Sequence, residues 1–124
     1  MFDDVVLRLA SFGYTVKETD DWLINLMIRK VENYIKDFCN IRAIPKGLRE
    51  TAIDMICGEF LIGKKAMGQI PEMTFESVVK QITEGDTTVS FGDSMSAEQQ
   101  FDALMSKMTN PDLSQLIRYR KLVW

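Results

Sequence analysis

DDWLINLMIRKVENYIKDFC, residues Asp20 to Cys39, is the stretch that sets the fold class. Trp22, Leu23, Leu26, Met27, Val31, Tyr34, Ile35 and Phe38 fall at helical spacing, and the 22/26, 23/27, 27/31 and 31/35 pairs are all four apart. Side chains four apart stack on one side of a helix, so these residues form a long apolar face of core type. Asp20 and Asp21 occupy the first turn, where carboxylates complement the helix dipole, and Thr19 or Asp20 can act as the cap. A core helix over residues 20–39 is the anchor of the reading.

Flanking segments extend the helical pattern in both directions. Phe2, Val5, Val6, Leu9 and Phe12 predict a short first helix, with Gly13 placed for a left-handed C-terminal cap. Ile44-Pro45 breaks the second helix, because a residue before proline is pushed out of the helical region, and Pro45 then suits the start of a third. From Leu48 onward Ala52, Ile53, Met55, Ile56, Phe60 and Leu61 are apolar on more than one face, which predicts a central helix ending near Met67-Gly68. Gly58 and Gly63 inside it predict close approach of a neighbouring helix, since each costs about 1 kcal/mol relative to Ala.

After Pro71 the pattern changes. Phe75, Val78, Val79 and Ile82 allow a further helical turn, but the β-branched runs Val78–Thr83 and Thr87–Phe91 around Glu84-Gly85-Asp86 favour a small β-hairpin near residues 78–91. Ser96 and Gln99 match a capping box for a helix holding Phe101, Leu104, Met105 and Met108, and Asn110-Pro111 opens a last short helix through Leu116 and Ile117. The predicted fold is an all-α, mainly helical bundle with one small hairpin. The whole chain, 1–124, reads as one domain.

Inventory removes several functions. The chain has no His, the usual general base and commonest metal ligand, and Cys39 and Cys57 lack zinc-site spacing. Both cysteines sit at apolar-flanked positions and read as buried reduced thiols, which, with no signal peptide, suggests a cytoplasmic setting. No apolar run approaches the roughly 20 residues of a membrane span. Asp3-Asp4 and Asp20-Asp21 are explained by helix dipoles rather than catalysis. We therefore expect no enzyme, no catalytic residue, no cofactor and no metal.

Charge is unevenly spread. The net charge is -3, and because Arg118, Arg120 and Lys121 give residues 113–124 a charge of +3, residues 1–112 carry -6. An acidic body disfavours wrapping nucleic acid. Arg118, Tyr119, Arg120, Lys121, Leu122 and Trp124 combine cations with aromatic anchors, the composition of a docking segment. Residues Ile82, Val89 and Phe91 on the hairpin, with Met105 and Met108, are the expected subunit-interface positions, because a two-stranded ribbon is marginal alone.

Four stretches resemble the phage head-tail connector (adaptor) proteins: Leu9–Tyr14, Ile35–Pro45 with Phe38-Cys39-Asn40-Ile41, Ile82–Phe91, and Tyr119–Trp124. The resemblance implies a homo-oligomeric ring, usually a dodecamer, under the portal of a tailed phage or prophage. Its partners would be the portal protein, engaged through residues 111–124, and a stopper or tail-completion protein. DNA would be cargo in the channel, and the place would be the virion after assembly in the host cytoplasm. The alternative is a small helical DNA-binding regulator, with Lys64-Lys65, Arg42, Lys46 and Arg49 as its basic patch.

Overall fold

A computed structural model of the chain describes residues 1–70, 72–85 and 95–121. Among these it is all-α: α1 (Phe2–Ser11), α2 (Asp21–Cys39), α3 (Arg49–Ala66), α4 (Glu72–Gly85), α5 (Ala97–Thr109) and α6 (Leu113–Ile117), with 3₁₀ turns at Glu18–Asp20 and Lys46–Leu48. Helix α3 is the hub, packed by α1, α2 and α5; α4 lies on α5 and α6 on α2. Its buried residues, from Ala52 and Met55 to Gly58, Phe60 and Leu61, occupy most of its circumference. A helix apolar on several sides is stable only when enclosed, so α3 organises the rest.

Local signals end the helices where expected. Gly13 adopts φ +89°, and the Tyr14 and Gly13 amides donate back to the Leu9 and Ala10 carbonyls at 3.0 Å each, the paired bonds of a Schellman ending for α1. Asn40 ends α2 in the left-handed region at φ 56°. Ser96 and Gln99 form the capping box of α5, with reciprocal bonds of 3.0 and 3.2 Å. The last helix starts later than expected: Asp112 is its cap, accepting from the Ser114 amide at 3.0 Å, and Pro111 precedes it.

Two expectations are corrected. Residues 78–85 belong to α4, so the hairpin does not form as expected; its second half, Thr87–Phe91, lies outside the described residues. On a helix Phe75, Val78, Val79 and Ile82 make one stripe at steps of three and four, and Phe75 meets Phe101 of α5 at 4.8 Å between ring centroids. Burial outweighs β-branched preference, and the Thr83 hydroxyl satisfies itself on the Val79 carbonyl at 2.9 Å. On α2, Trp22 is 60 % exposed and Leu26 41 %, while Leu23, Val31 and Ile35 are buried. Trp22 and Leu26 lie about 100° and about 60° around the helix from Leu23, on the side away from Val31 and Ile35.

Leu23 and Met27 lie against Gly63 while Lys30 reaches Glu59 at 3.0 Å, so α2 and α3 run antiparallel. Gly58 is where α3 and α5 approach most tightly: a Cβ there would lie 2.9 Å from Thr109 Cγ2 and 3.1 Å from Met108 Cβ. At Gly63 the nearest atom would be 3.5 Å away, an ordinary contact. Gly63→Ala is therefore expected to stabilise by up to about 1 kcal/mol, whereas Gly58→Val costs about 2 kcal/mol. Urea unfolding of the two variants checks both signs.

Candidate functional site

The most elaborate non-local assembly surrounds the C-terminal end of α2. Its last carbonyls have no partner within the helix, and residues from the far end of the sequence supply one: the Lys121 amide donates to the Cys39 carbonyl at 2.7 Å. Asn40 answers by donating its side-chain amide to the Lys121 carbonyl at 3.1 Å, which its left-handed backbone permits. The Cys39 thiol, fully buried, donates to the Leu116 carbonyl at 3.3 Å. Residues 116–121 are thus strapped across the end of α2.

Side chains complete the strap. Tyr119 is half-buried against the core with its phenol over Gly47, and any Cβ at position 47 would overlap the Tyr119 ring. The missing side chain at Gly47 makes room for an aromatic one. The Arg120 guanidinium lies 5.4 Å over the Phe38 ring, which stacks with Tyr34 at 6.2 Å. Burial pushes the Cys39 thiol pKa up, and the nearby Arg120 charge opposes that rise in part. Arg118, Arg120 and Lys121 remain exposed. Leu122 and Trp124 lie outside the described residues.

The remaining expected sites are dispersed. Met105 is 1 % exposed inside the chain's own core, on the side of α5 that meets Gly58, so it has no surface to offer a neighbour. Ile82 and Met108 are half-buried and line a cleft of about 740 Å³ together with Arg8, Phe12, Asp54 and Lys107. Within it Arg8 pairs with Asp54 at 2.9 Å. Val89 and Phe91 lie outside the described residues.

The basic residues behind the DNA-binding alternative do not form one patch. Lys64 is buried against Asp20, Lys65 pairs with Glu98 at 3.1 Å and Asp102 at 2.5 Å, and Arg49 pairs with Asp4. Arg42 and Lys46 remain exposed.

Asp20 also departs from its expected role as a dipole partner. It makes no cap bond to α2 and is 1 % exposed. Its carboxylate accepts from Lys64 Nζ at 2.7 Å, Tyr14 Oη at 2.8 Å and the Lys17 amide at 3.1 Å, and Lys64 also bonds Gln69. Burial alone would raise the Asp20 pKa; the bonds from Lys64, Lys17 and Tyr14 outweigh it and hold the carboxyl below its ordinary range. Burial and the Asp20 contact push Tyr14 well above the usual tyrosine value. This network ties residues 14–20 to the end of α3.

Among the described residues no group of His, Cys, Asp and Glu side chains is placed to hold a metal, and no helix is long and apolar enough to cross a membrane. Comparison with family models, with curated proteins and with solved structures returned no match to this chain. The strap therefore stands as the candidate site on its geometry: cations displayed on a backbone held by core contacts.

Gly47→Ala is expected to displace Tyr119 and speed hydrogen exchange at the Lys121 amide about five- to thirtyfold, as loss of roughly 1–2 kcal/mol of local protection implies. For Asp20 the folded pKa lies below the unfolded value near ~3.9, so its stabilisation is complete above that value and fades as pH falls through the folded one. Asp20→Asn should cost about 3 kcal/mol at neutral pH and flatten the acid limb of stability below about pH 4. Denaturant midpoints across pH 2–7 check this.

Proposed function

We propose that this protein is a structural head-tail connector subunit of a tailed phage or prophage, which forms a ring under the portal and docks it through the strap. The observation that carries the proposal is that two stretches bearing the resemblance, Phe38-Cys39-Asn40 and Tyr119-Arg120-Lys121, meet in space although about 80 positions separate them. A segment fixed in this way presents Arg118 and Arg120 with little ordering left to do on binding, which favours affinity. The acidic remainder of the chain suits a wall past which DNA slides without adhering. A stopper or tail-completion protein would take the opposite face of the ring.

Charge reversal tests this better than truncation, because removing Tyr119 also removes core packing. Arg118→Glu with Arg120→Glu is expected to leave far-ultraviolet circular dichroism unchanged and to abolish capture by purified portal protein. Capture at the wild-type level by the folded variant rejects the assignment.

A further inference from the structure

The cleft of about 740 Å³ lies where α1, α3, α4, α5 and the start of α6 converge. That volume falls in the range of small-molecule sites, and the space between helices of a bundle is where such sites form. Its apolar lining comes from buried Phe12 and Leu104 and from half-buried Ile82 and Met108. Charged side chains also line it, Arg8, Asp54, Lys107 and Asp112, and they are unequally engaged. Each carboxylate already accepts a bond from the protein: Asp54 from Arg8 Nε at 2.9 Å, and Asp112 from the Ser114 amide at 3.0 Å, where it caps α6. The cations retain free donors. Arg8 gives only Nε to Asp54, so its two terminal amino groups have no hydrogen-bond partner among the described residues, and Lys107 has no ion-pair partner among them.

We propose that this cleft binds a small amphipathic carboxylate, a molecule with one anionic head and a medium-length aliphatic body. The planar edge formed by the two terminal amino groups of Arg8 matches a carboxylate through two parallel hydrogen bonds, and the Lys107 ammonium adds a second positive charge to the same cleft. Arg8 is restrained before any ligand arrives: Asp54 holds Nε, and the guanidinium lies 4.6 Å from the centroid of the Phe12 ring. Little ordering is then left for binding to impose. Phe12, Ile82, Leu104 and Met108 offer apolar surface to the aliphatic body, and the flexible Met108 thioether adapts to its shape. Charge selects the head group. An ammonium head would meet two cations with free donors and two carboxylates already engaged, whereas a carboxylate head meets the reverse. A neutral molecule of equal length gains the apolar contact and forgoes the ion pair, and an inorganic anion gains only the ion pair.

The inference is separate from the connector reading, and its readout involves no portal protein. Calorimetric titration of the full chain with octanoate, kept below its micelle-forming concentration, measures affinity, and nuclear magnetic resonance locates the bound molecule. Saturable binding is expected, with the side-chain amide signals of Gln81, Asn110 and Gln115 shifting as octanoate is added. Octanol, octylammonium and inorganic phosphate should each bind about tenfold or more weakly than octanoate, because each lacks either the carboxylate or the aliphatic body.

Arg8→Gln and Lys107→Gln change exposed residues, so the denaturant midpoint should stay close to that of the wild type. Octanoate affinity should fall about tenfold or more in Arg8→Gln and by a smaller factor in Lys107→Gln, which removes a charge but no bidentate fork. Absence of saturable octanoate binding overturns the proposal. So does octanol or octylammonium binding as tightly as octanoate, a set of shifting signals centred away from the cleft, or full affinity in the folded Arg8→Gln variant. A chain that captures portal and ignores octanoate refutes the present inference alone, and one that binds octanoate as described but ignores portal refutes the connector reading alone.

Discussion

Enclosure of α3 is the constraint on which the rest of the structure depends. A helix with buried residues on most of its circumference cannot tolerate water along its length, so α1, α2 and α5 must all close on it. That requirement sets the distance between elements, and Gly58 is where it is most exacting, since the Thr109 methyl occupies the space of a side chain. It also decides which residues of α2 are core. Leu23, Val31 and Ile35 lie toward α3, while Trp22 and Leu26 remain outside and free to act as surface.

Polar groups enter this framework only where they are fully partnered. Asp20 and Lys64 would each be costly to bury alone, yet Tyr14, Gln69 and the Lys17 amide complete their bonding, and no buried side-chain nitrogen or oxygen among the described residues lacks a partner. Such a network holds the 14–20 connection in one register against α3. The strap at the opposite end uses the same logic with backbone groups: the Cys39 carbonyl, left open by the end of a helix, is closed by the Lys121 amide. Each end of α2 is thus fixed by contacts distant in sequence, and each carries a distinct surface chemistry.

That arrangement supports the proposed docking role of the strap. Cations on residues 118–121 are displayed from a restrained backbone, and an indole at the other end stands exposed beside a recess. The two features lie at opposite ends of α2.

Helix positions were legible in the sequence because they follow from local spacing. Residues 20–39, the left-handed turn at Gly13, the capping box at Ser96 and the burial of α3 all rest on contacts within a few positions. The burial of Cys39 and Cys57 followed from their apolar flanks. Position 78–85 misled because β-branched residues carry a local preference that a buried stripe against Phe101 overrides. Gly47, Asn40 and Lys64 acquired their roles from Tyr119, Lys121 and Asp20, partners 44 to 81 positions away. The sequence by itself determined a mainly helical chain with a cationic, aromatic segment. Only the tertiary structure decided what that segment rests on and which acid is buried, because pairing across such separations depends on how helices enclose one another, and no local spacing encodes it.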